Sequence, residues 1–290
     1  MQWLTSYSGL LLSRPFKFLI GPSEVPVVVH EEAVASQSKA LGALMRGAMS
    51  EGKKGEAKWV DIDLDTFTRF VQFAYTGDYS VPTMIVRLRG DLTKEPVRTV
   101  ANARSDPNTT TEGSGTSNTS KKVKSTVVSC NEGKVRQALQ PTIFKITRPY
   151  PLLQPRVQFA ASCDTQVIEG INENISEVFL SHTELYILAE KWGIDTLKAL
   201  TLFKLHRTLG NFPLMESNAA HIVELARKGY SGTPDLEDEM DGLRALICQY
   251  IAAYAGPMSK SEAFTDLVEE GGAFARDMFT CMLAKLSFSA

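Results

Sequence analysis

Cysteine and histidine are both scarce in this chain of 290 residues, four of each. The cysteines, Cys130, Cys163, Cys248 and Cys281, lie far apart and include no C-x-x-C pair. That spacing indicates neither a zinc site nor a disulfide framework, and it suits a reducing compartment. The histidines, His30, His182, His206 and His221, do not cluster with carboxylates at ligand spacing. A glycine-rich phosphate loop, an H-E-x-x-H pair and a G-x-S-x-G elbow are all missing. The expectation is therefore a non-catalytic protein that needs no cofactor, no metal and no small-molecule substrate. Long apolar runs are missing too, and none approaches a membrane span. The early apolar residues Trp3, Leu4 and Leu10 to Leu12 have no basic region before them and no small-residue cleavage site after them, so the expected location is cytoplasm, nucleus or both.

What the chain does have is an ordinary globular composition, 43% hydrophobic and 22% charged, which can bury a sizeable core. The net charge of −2 hides an asymmetry. Residues 83–176 carry 13 basic and 8 acidic side chains (+5), whereas residues 177–290 carry 10 and 16 (−6). A basic middle could meet an acidic partner, but scattered lysines in a solvated linker account for it as well, and nucleic acid is not expected as a partner.

The most informative stretch is WVDIDLDTFTRFVQFAYTGDY, Trp59 to Tyr79. Trp59 to Ile62 alternates like a half-buried strand. Asp65 stands where an N-cap belongs, and Phe67, Phe70, Val71, Ala74 and Tyr75 recur at helical spacing on one face. Gly77 is placed to end that helix in the left-handed conformation. Upstream, Phe16, Phe18 and Ile20 alternate with Lys17 and Leu19, Gly21 to Glu24 reads as a turn, and Val25 to Val29 returns as a second strand with Pro26 at an edge. A helix is expected from about Glu31 to Met49, with Val34, Ser38, Leu41, Met45 and Ala48 inward.

Downstream, Ser181 to Glu184 has the form of a capping box opening a helix whose inner face is Leu185, Leu188, Ala189 and Trp192. Gly193 ends it and Asp195 caps the next, along which Leu197, Leu200 and Leu205 recur. Two helices joined so tightly form a hairpin able to cover the Phe67 to Tyr75 stripe. Ser105 to Ser129 is rich in Ser, Thr, Asn, Gly and Lys and reads as disordered, Lys121 to Lys124 is a short basic cluster of the kind a nuclear localisation signal uses, and Pro141 to Val157, apolar and proline-containing, reads as a short ordered strap or a peptide-like docking element. The remainder is helical: Ala219 to Ala226, stopped at Gly229, then a helix bearing Leu243, Leu246, Ile247, Tyr250 and Ile251, then a pair bearing Phe264, Leu267 and Val268 and, after Gly271-Gly272, Phe274, Met278, Met282 and Leu283.

Three phrases, in this order, resemble the BTB/POZ family: Phe16 to Gly21 with Val27 to His30 and Ser38, then Phe67, Phe70-Val71 and Tyr75 to Tyr79, then Leu185 to Ile194 with Leu197 and Leu200. The chain as a whole is most similar to fungal stand-alone members. The resemblance implies an α+β fold, with a short mixed sheet flanked by helices and helical hairpins over 14–82 and 177–209. A largely disordered low-complexity insertion at 83–176 interrupts it, and an all-helical extension follows at 210–290. It implies structural roles for His30 and Ser38. It also implies a protein-interaction module that self-associates as a homodimer or binds another protein, and Leu41, Leu44 and Met45 are candidates that serve equally well as core. Family adaptors of cullin-type ubiquitin ligases carry a hydrophobic-x-Glu motif after the first helix, which Met49-Ser50-Glu51 matches. The alternative reading is thus a substrate adaptor with a cullin scaffold as partner, although no separate substrate-binding domain is visible.

Overall fold

The structure is a computed structural model, and it describes residues 8–82, 86–87, 171–172, 175–236 and 239–287. All of them belong to one compact unit. The low-complexity stretch 105–129, the basic cluster at 121–124, the strap at 141–157, and Cys130 and Cys163 lie outside the described residues.

Strand β1, Pro15–Ile20, is the centre of a three-stranded sheet. It pairs antiparallel with β2, Val25–His30, so that Phe16 faces Val29 and Leu19 faces Pro26. It pairs parallel with β3, Glu56–Trp59, so that Lys17 faces Glu56 and Ile20 faces Trp59. The sheet is therefore mixed. Pro26 lies in the edge strand β2, where its missing N–H breaks no central ladder. Phe16, Phe18 and Ile20 alternate inward and are all buried.

The helix expected from 31 to 49 is three pieces: α1, Glu31–Ala35, α2, Lys39–Arg46, and α3, Ser50–Lys54. Ser38 is the reason for the first break. Its backbone is extended and its hydroxyl accepts the Leu41 N–H, so it caps α2. Of the expected inner stripe, Val34, Leu41 and Met45 are buried, but Ala48 is exposed beyond the end of α2. Strand β3 also starts and ends earlier than alternation suggested, leaving Val60 to Ile62 as a turn.

Helix α4, Leu64–Thr76, is capped by Asp63, which accepts from Thr66 N at 2.8 Å, while Asp65 sits in the first turn. Its left-handed C-cap is Gly77, as expected. Phe67, Phe70 and Phe73 are buried, and the rings of Phe18 and Phe67 lie 5.1 Å apart, those of Phe18 and Trp59 4.9 Å. Such tilted and edge-on pairs each add about 0.5–1.5 kcal/mol beyond the area they bury.

After a two-residue ladder of β4, Val86–Arg87, with β5, Ile171–Asn172, the chain enters α5, Ile175–Trp192, and α6, Asp195–Asn211. Helix α5 starts six residues before the expected capping box. Ser181 lies inside it and donates to the Val178 carbonyl, and Glu184 accepts instead from Thr66 Oγ1. Gly193 ends it with φ +63°, and the Ile194 N–H bonds back to the Ala189 carbonyl at 2.8 Å, a Schellman closure. Ile194 is the residue before α6, so Asp195 is the first residue of that helix and not its cap.

This hairpin has apolar residues on more than one side, as a doubly buried pair must. Leu185, Leu188, Ala189, Ile194, Leu197 and Leu200 join the sheet-side core, and the Trp192 indole stacks on Trp59 at 4.8 Å. Ile175, Val178, Phe179, Leu202, Leu205 and Leu209 join a second core with the helices that follow: α7, Ala219–Gly232, α8, Gly242–Ala253, α9, Ala255–Met258, α10, Glu262–Glu269, and α11, Gly272–Ser287. Helix α7 runs past Gly229, and Val268, Met282 and Leu283 of the expected last stripe are exposed.

A polar seam runs beside α5 and α6. Lys204 reaches Asp78 Oδ1 at 2.5 Å and donates to the Tyr79 carbonyl at 2.6 Å. The Tyr79 hydroxyl lies 2.6 Å from His182 Nδ1, and Thr208 Oγ1 lies 3.4 Å from His182 Nε2. Burial, reinforced by the Asp78 charge, pushes the Tyr79 phenol well up, and burial, helped by the Lys204 and Arg69 charges, pushes the His182 imidazole down to about 3. Both groups are neutral at pH 7, and because the Thr208 hydroxyl already donates to the Lys204 carbonyl at 2.9 Å, the imidazole proton sits on Nε2 facing Thr208 and the phenol O–H donates to Nδ1.

Candidate functional site: the turn after helix α2

The turn between α2 and β3 holds an exposed apolar side chain on a rigid backbone. Gly47 leaves α2 with its N–H on the Ala43 carbonyl at 2.9 Å. A Cβ at Gly47 would lie 2.2 Å from the Ala43 carbonyl oxygen, and one at Gly52 would lie 2.3 Å from the Gly47 carbonyl oxygen. Only glycine fits where the backbone doubles back this closely. Arg14, just before β1, fixes the turn from beneath. One guanidinium nitrogen donates to the Met45 carbonyl at 2.5 Å and to the Gly52 carbonyl at 2.9 Å, while another donates to Glu31. Arg46 bonds Glu31 and Glu32, so the first turn of α1 and the end of α2 are tied to the same ion network.

On this support Met49 stands as the residue before α3, 71% exposed. Two residues on, Glu51 keeps its carboxyl below the ordinary range, because a backbone N–H and then the Ser50 hydroxyl, at 2.9 Å, favour the charged form. An exposed thioether and a charged carboxylate thus lie two residues apart on one turn. Leu44, half-buried on α2, packs at the rim of the sheet-side core. Leu41 and Met45 do not belong to this surface. Both are fully buried among Phe16, Phe18, Val34 and the other core residues, so no partner reaches them in this conformation. Four positions separate Met45 from Met49, and α2 ends between them.

His30 and Ser38 both have structural roles, although Ser38 fills its own as a cap between two helices and not within one. The Tyr75 hydroxyl accepts the His30 backbone N–H at 2.9 Å and contacts His30 Nδ1 at 2.8 Å, joining β2 to α4. Ser38 is a cap, with its hydroxyl occupied by the Leu41 N–H.

Three polar groupings escaped the sequence reading. Ser176 Oγ lies 2.7 Å from His221 Nδ1 and 2.7 Å from Glu224 Oε2. The serine stands between imidazole and carboxylate here, whereas an activating relay needs the imidazole in the middle. A cleft of about 230 Å³ is lined by Asp235, Asp241, Arg244, Arg276 and Asp277, and its charges are occupied: Arg244 and Arg276 both hold Asp235, Arg276 also meets Asp277, and Asp241 accepts from backbone N–H groups and the Tyr186 hydroxyl. Cys248 and Cys281, distant in sequence, both pack in the helix-side core, one from α8 and one from α11. The signal for the first grouping was the i, i+3 pair His221 and Glu224 on one helix face; nothing local announced the other two. No trio of His, Cys, Asp or Glu is placed to hold a metal ion among the described residues. No described helix is long and apolar enough to cross a membrane.

Comparison of the chain with models of protein families and with curated proteins returned no match in either case.

Proposed function

We propose that this chain is a non-catalytic protein-interaction module of the BTB/POZ type, acting by self-association or by binding another protein. The observation that carries the reading is the turn at Gly47 to Gly52, where Met49 is presented to solvent on a backbone clamped by Arg14. A methionine held in water on a rigid support gains by being covered, at about 25 cal/mol for each Å² of apolar area removed from solvent. The small mixed sheet followed by a helical hairpin agrees with the resemblance of the three sequence phrases. Sedimentation velocity of the full chain over a range of concentrations tests self-association: a concentration-dependent shift to a dimer supports it, and a monomer at every concentration removes it.

One observation favours the adaptor of a cullin-type ubiquitin ligase as a second reading: Met49 and Glu51 are both available at the surface, on the same short turn, with the carboxylate charged. Titration with a purified cullin scaffold tests it. Saturable binding that a Met49→Ala, Glu51→Ala variant loses supports an adaptor. Equal binding by the variant, or none by either chain, leaves the interaction module without that role.

A further inference from the structure

Helix α11 has two apolar faces, and the molecule covers one of them. Phe274 and Met278 are buried in the helix-side core, and the Phe274 ring meets Tyr230 of α7 at 5.3 Å and Phe264 of α10 at 6.4 Å. On the other side Phe279 is 65% exposed, Leu283 50% and Met282 38%. These three recur at i, i+3 and i+4, so they form one stripe. Thr280 and Ala284, also exposed, flank it and are small and uncharged. From Met278 to Ala284 the helix carries no charge, and just before this run Arg276 is already held by Asp235 and Asp277. A helix face that stays in water is normally charged, and an uncharged apolar one marks a contact surface.

We propose that the stripe of Phe279, Met282 and Leu283 pairs with the same stripe of a second copy of this chain, the two α11 helices crossing antiparallel about a two-fold axis. Charge favours a copy. The stripe meets its own image with no like charges opposed, whereas a charged partner would find no counter-ion on it. Shape favours it too. A crossing centred midway between Phe279 and Leu283 sets the Phe279 ring of each copy on Leu283 of the other, with Met282 as an adaptable filler, and Thr280 and Ala284 let the helices come close. Antiparallel order also keeps the two negative helix ends apart. Area sets the strength. At about 150–250 Å² for a phenylalanine and somewhat less for leucine and methionine, the stripe exposes on the order of 300 Å², the size of patch that is often functional. Two copies cover about 600 Å², which at ~65% apolar content is the centre of a contact of about 900 Å². Stable complexes bury roughly 1,200–2,000 Å², so this dimer is weak and reversible. It uses no residue of the turn after α2, and it forms whether or not that turn is engaged.

The test is sedimentation of the purified full chain from low micromolar to several hundred micromolar, beside two variants. One carries Phe279→Glu and Leu283→Glu, and the other carries Met49→Ala and Glu51→Ala. The natural chain and the Met49, Glu51 variant should shift to a dimer over the same range. The Phe279, Leu283 variant should dimerise at least about a hundredfold more weakly, since a two-fold contact feels each substitution twice. Both of its changed side chains are half or more exposed, so its thermal midpoint should match that of the natural chain. If it does not, Phe279→Ser with Leu283→Ser replaces it and should lose the dimer in the same way. A natural chain that stays monomeric at every concentration would overturn the proposal and give the stripe to a different molecule. So would a dimer that the Phe279, Leu283 variant keeps at full strength. If that dimer is lost in the Met49, Glu51 variant instead, self-association belongs to the turn after α2, and the reading of that turn stands while this one falls.

Discussion

The two cores of this molecule share one helical hairpin and use different chemistry on its two sides. The sheet-side core is aromatic: Phe16, Phe18, Trp59, Phe67 and Phe70 interlock, and Trp192 of the hairpin stacks on Trp59. The helix-side core is mostly aliphatic, but charges enter it. Asp241 caps α8 by accepting from Leu243 N and Arg244 N, and it also accepts the Tyr186 hydroxyl proton at 2.8 Å. Arg244, buried, donates to the Thr233 carbonyl at 2.6 Å and to Thr233 Oγ1 at 2.9 Å. A flat sheet face and one helix supply broad surfaces on which rings pack with little directionality. Five helices joined by short turns bring their ends inward, and each buried end needs a partner of fixed geometry. The first core therefore fails when volume is lost, and the second when a partner is lost.

Variants can separate these two failures. The largest effect is expected in the aromatic core: Phe67→Ala and Met45→Ala should each cost about 3–5 and 2–5 kcal/mol, read as a lower urea midpoint. A loss under ~1 kcal/mol would mean that the α4 stripe is not packed as described. Next comes the polar seam, where Lys204→Met leaves Asp78 buried without its cation and should cost about 3 kcal/mol. Adding Asp78→Leu should restore most of that loss, since the second change removes the orphaned charge; a double variant as weak as the single one would contradict the ion-pair account.

The seam also sets a pH dependence. The folded-state pKa of His182 is depressed to about 3 from 6.5, so the unfolded chain binds the extra proton first. This contribution is complete above pH 6.5 and is lost as pH falls from there toward 3, at about 1.4 kcal/mol per pH unit. Unfolding free energies measured from pH 7 to pH 5 should fall more steeply for the natural chain than for His182→Gln, and equal slopes would count against a neutral buried imidazole. A smaller loss, about 1 kcal/mol, is expected for Tyr230→Phe, which removes the hydroxyl between Cys248 and Asp277. Calorimetry with no shift in the midpoint would show that this link adds nothing. Smallest of all is Met49→Ala, within ~0.5 kcal/mol of the natural chain, because its side chain touches water.

Periodicity and glycine carried most of the legible fold. The β1–β2 hairpin, the α4 stripe with its Gly77 stop, and the Gly193 turn between α5 and α6 stand where alternation, helical spacing and left-handed caps put them. Caps with several candidates misled. Asp61, Asp63 and Asp65 alternate before α4, and which one caps depends on how Phe67 must face the sheet, a tertiary demand. Ser181 and Glu184 have the spacing of a capping box, but the apolar residues Ile175, Val178 and Phe179 extend α5 upstream of them to reach the second core. Ser38 broke a helix that periodicity read as continuous. For the candidate site, the motif Met49-Ser50-Glu51 was legible, and its exposure was not. Whether Leu41 and Met45 are core or surface depends on the Arg14 clamp and on where α2 stops, both set by contacts remote in sequence.

The most direct test of the central claim is affinity capture of the full chain from its own cells with mass-spectrometric identification of partners, run beside a Met49→Ala, Glu51→Ala variant shown to unfold at the same temperature. The account predicts that the natural chain recovers further copies of itself, another protein or a cullin scaffold, and that the variant loses the interaction while keeping its fold. Recovery of the same partners in the same amounts by both chains would contradict it and place the interaction surface away from the turn after α2.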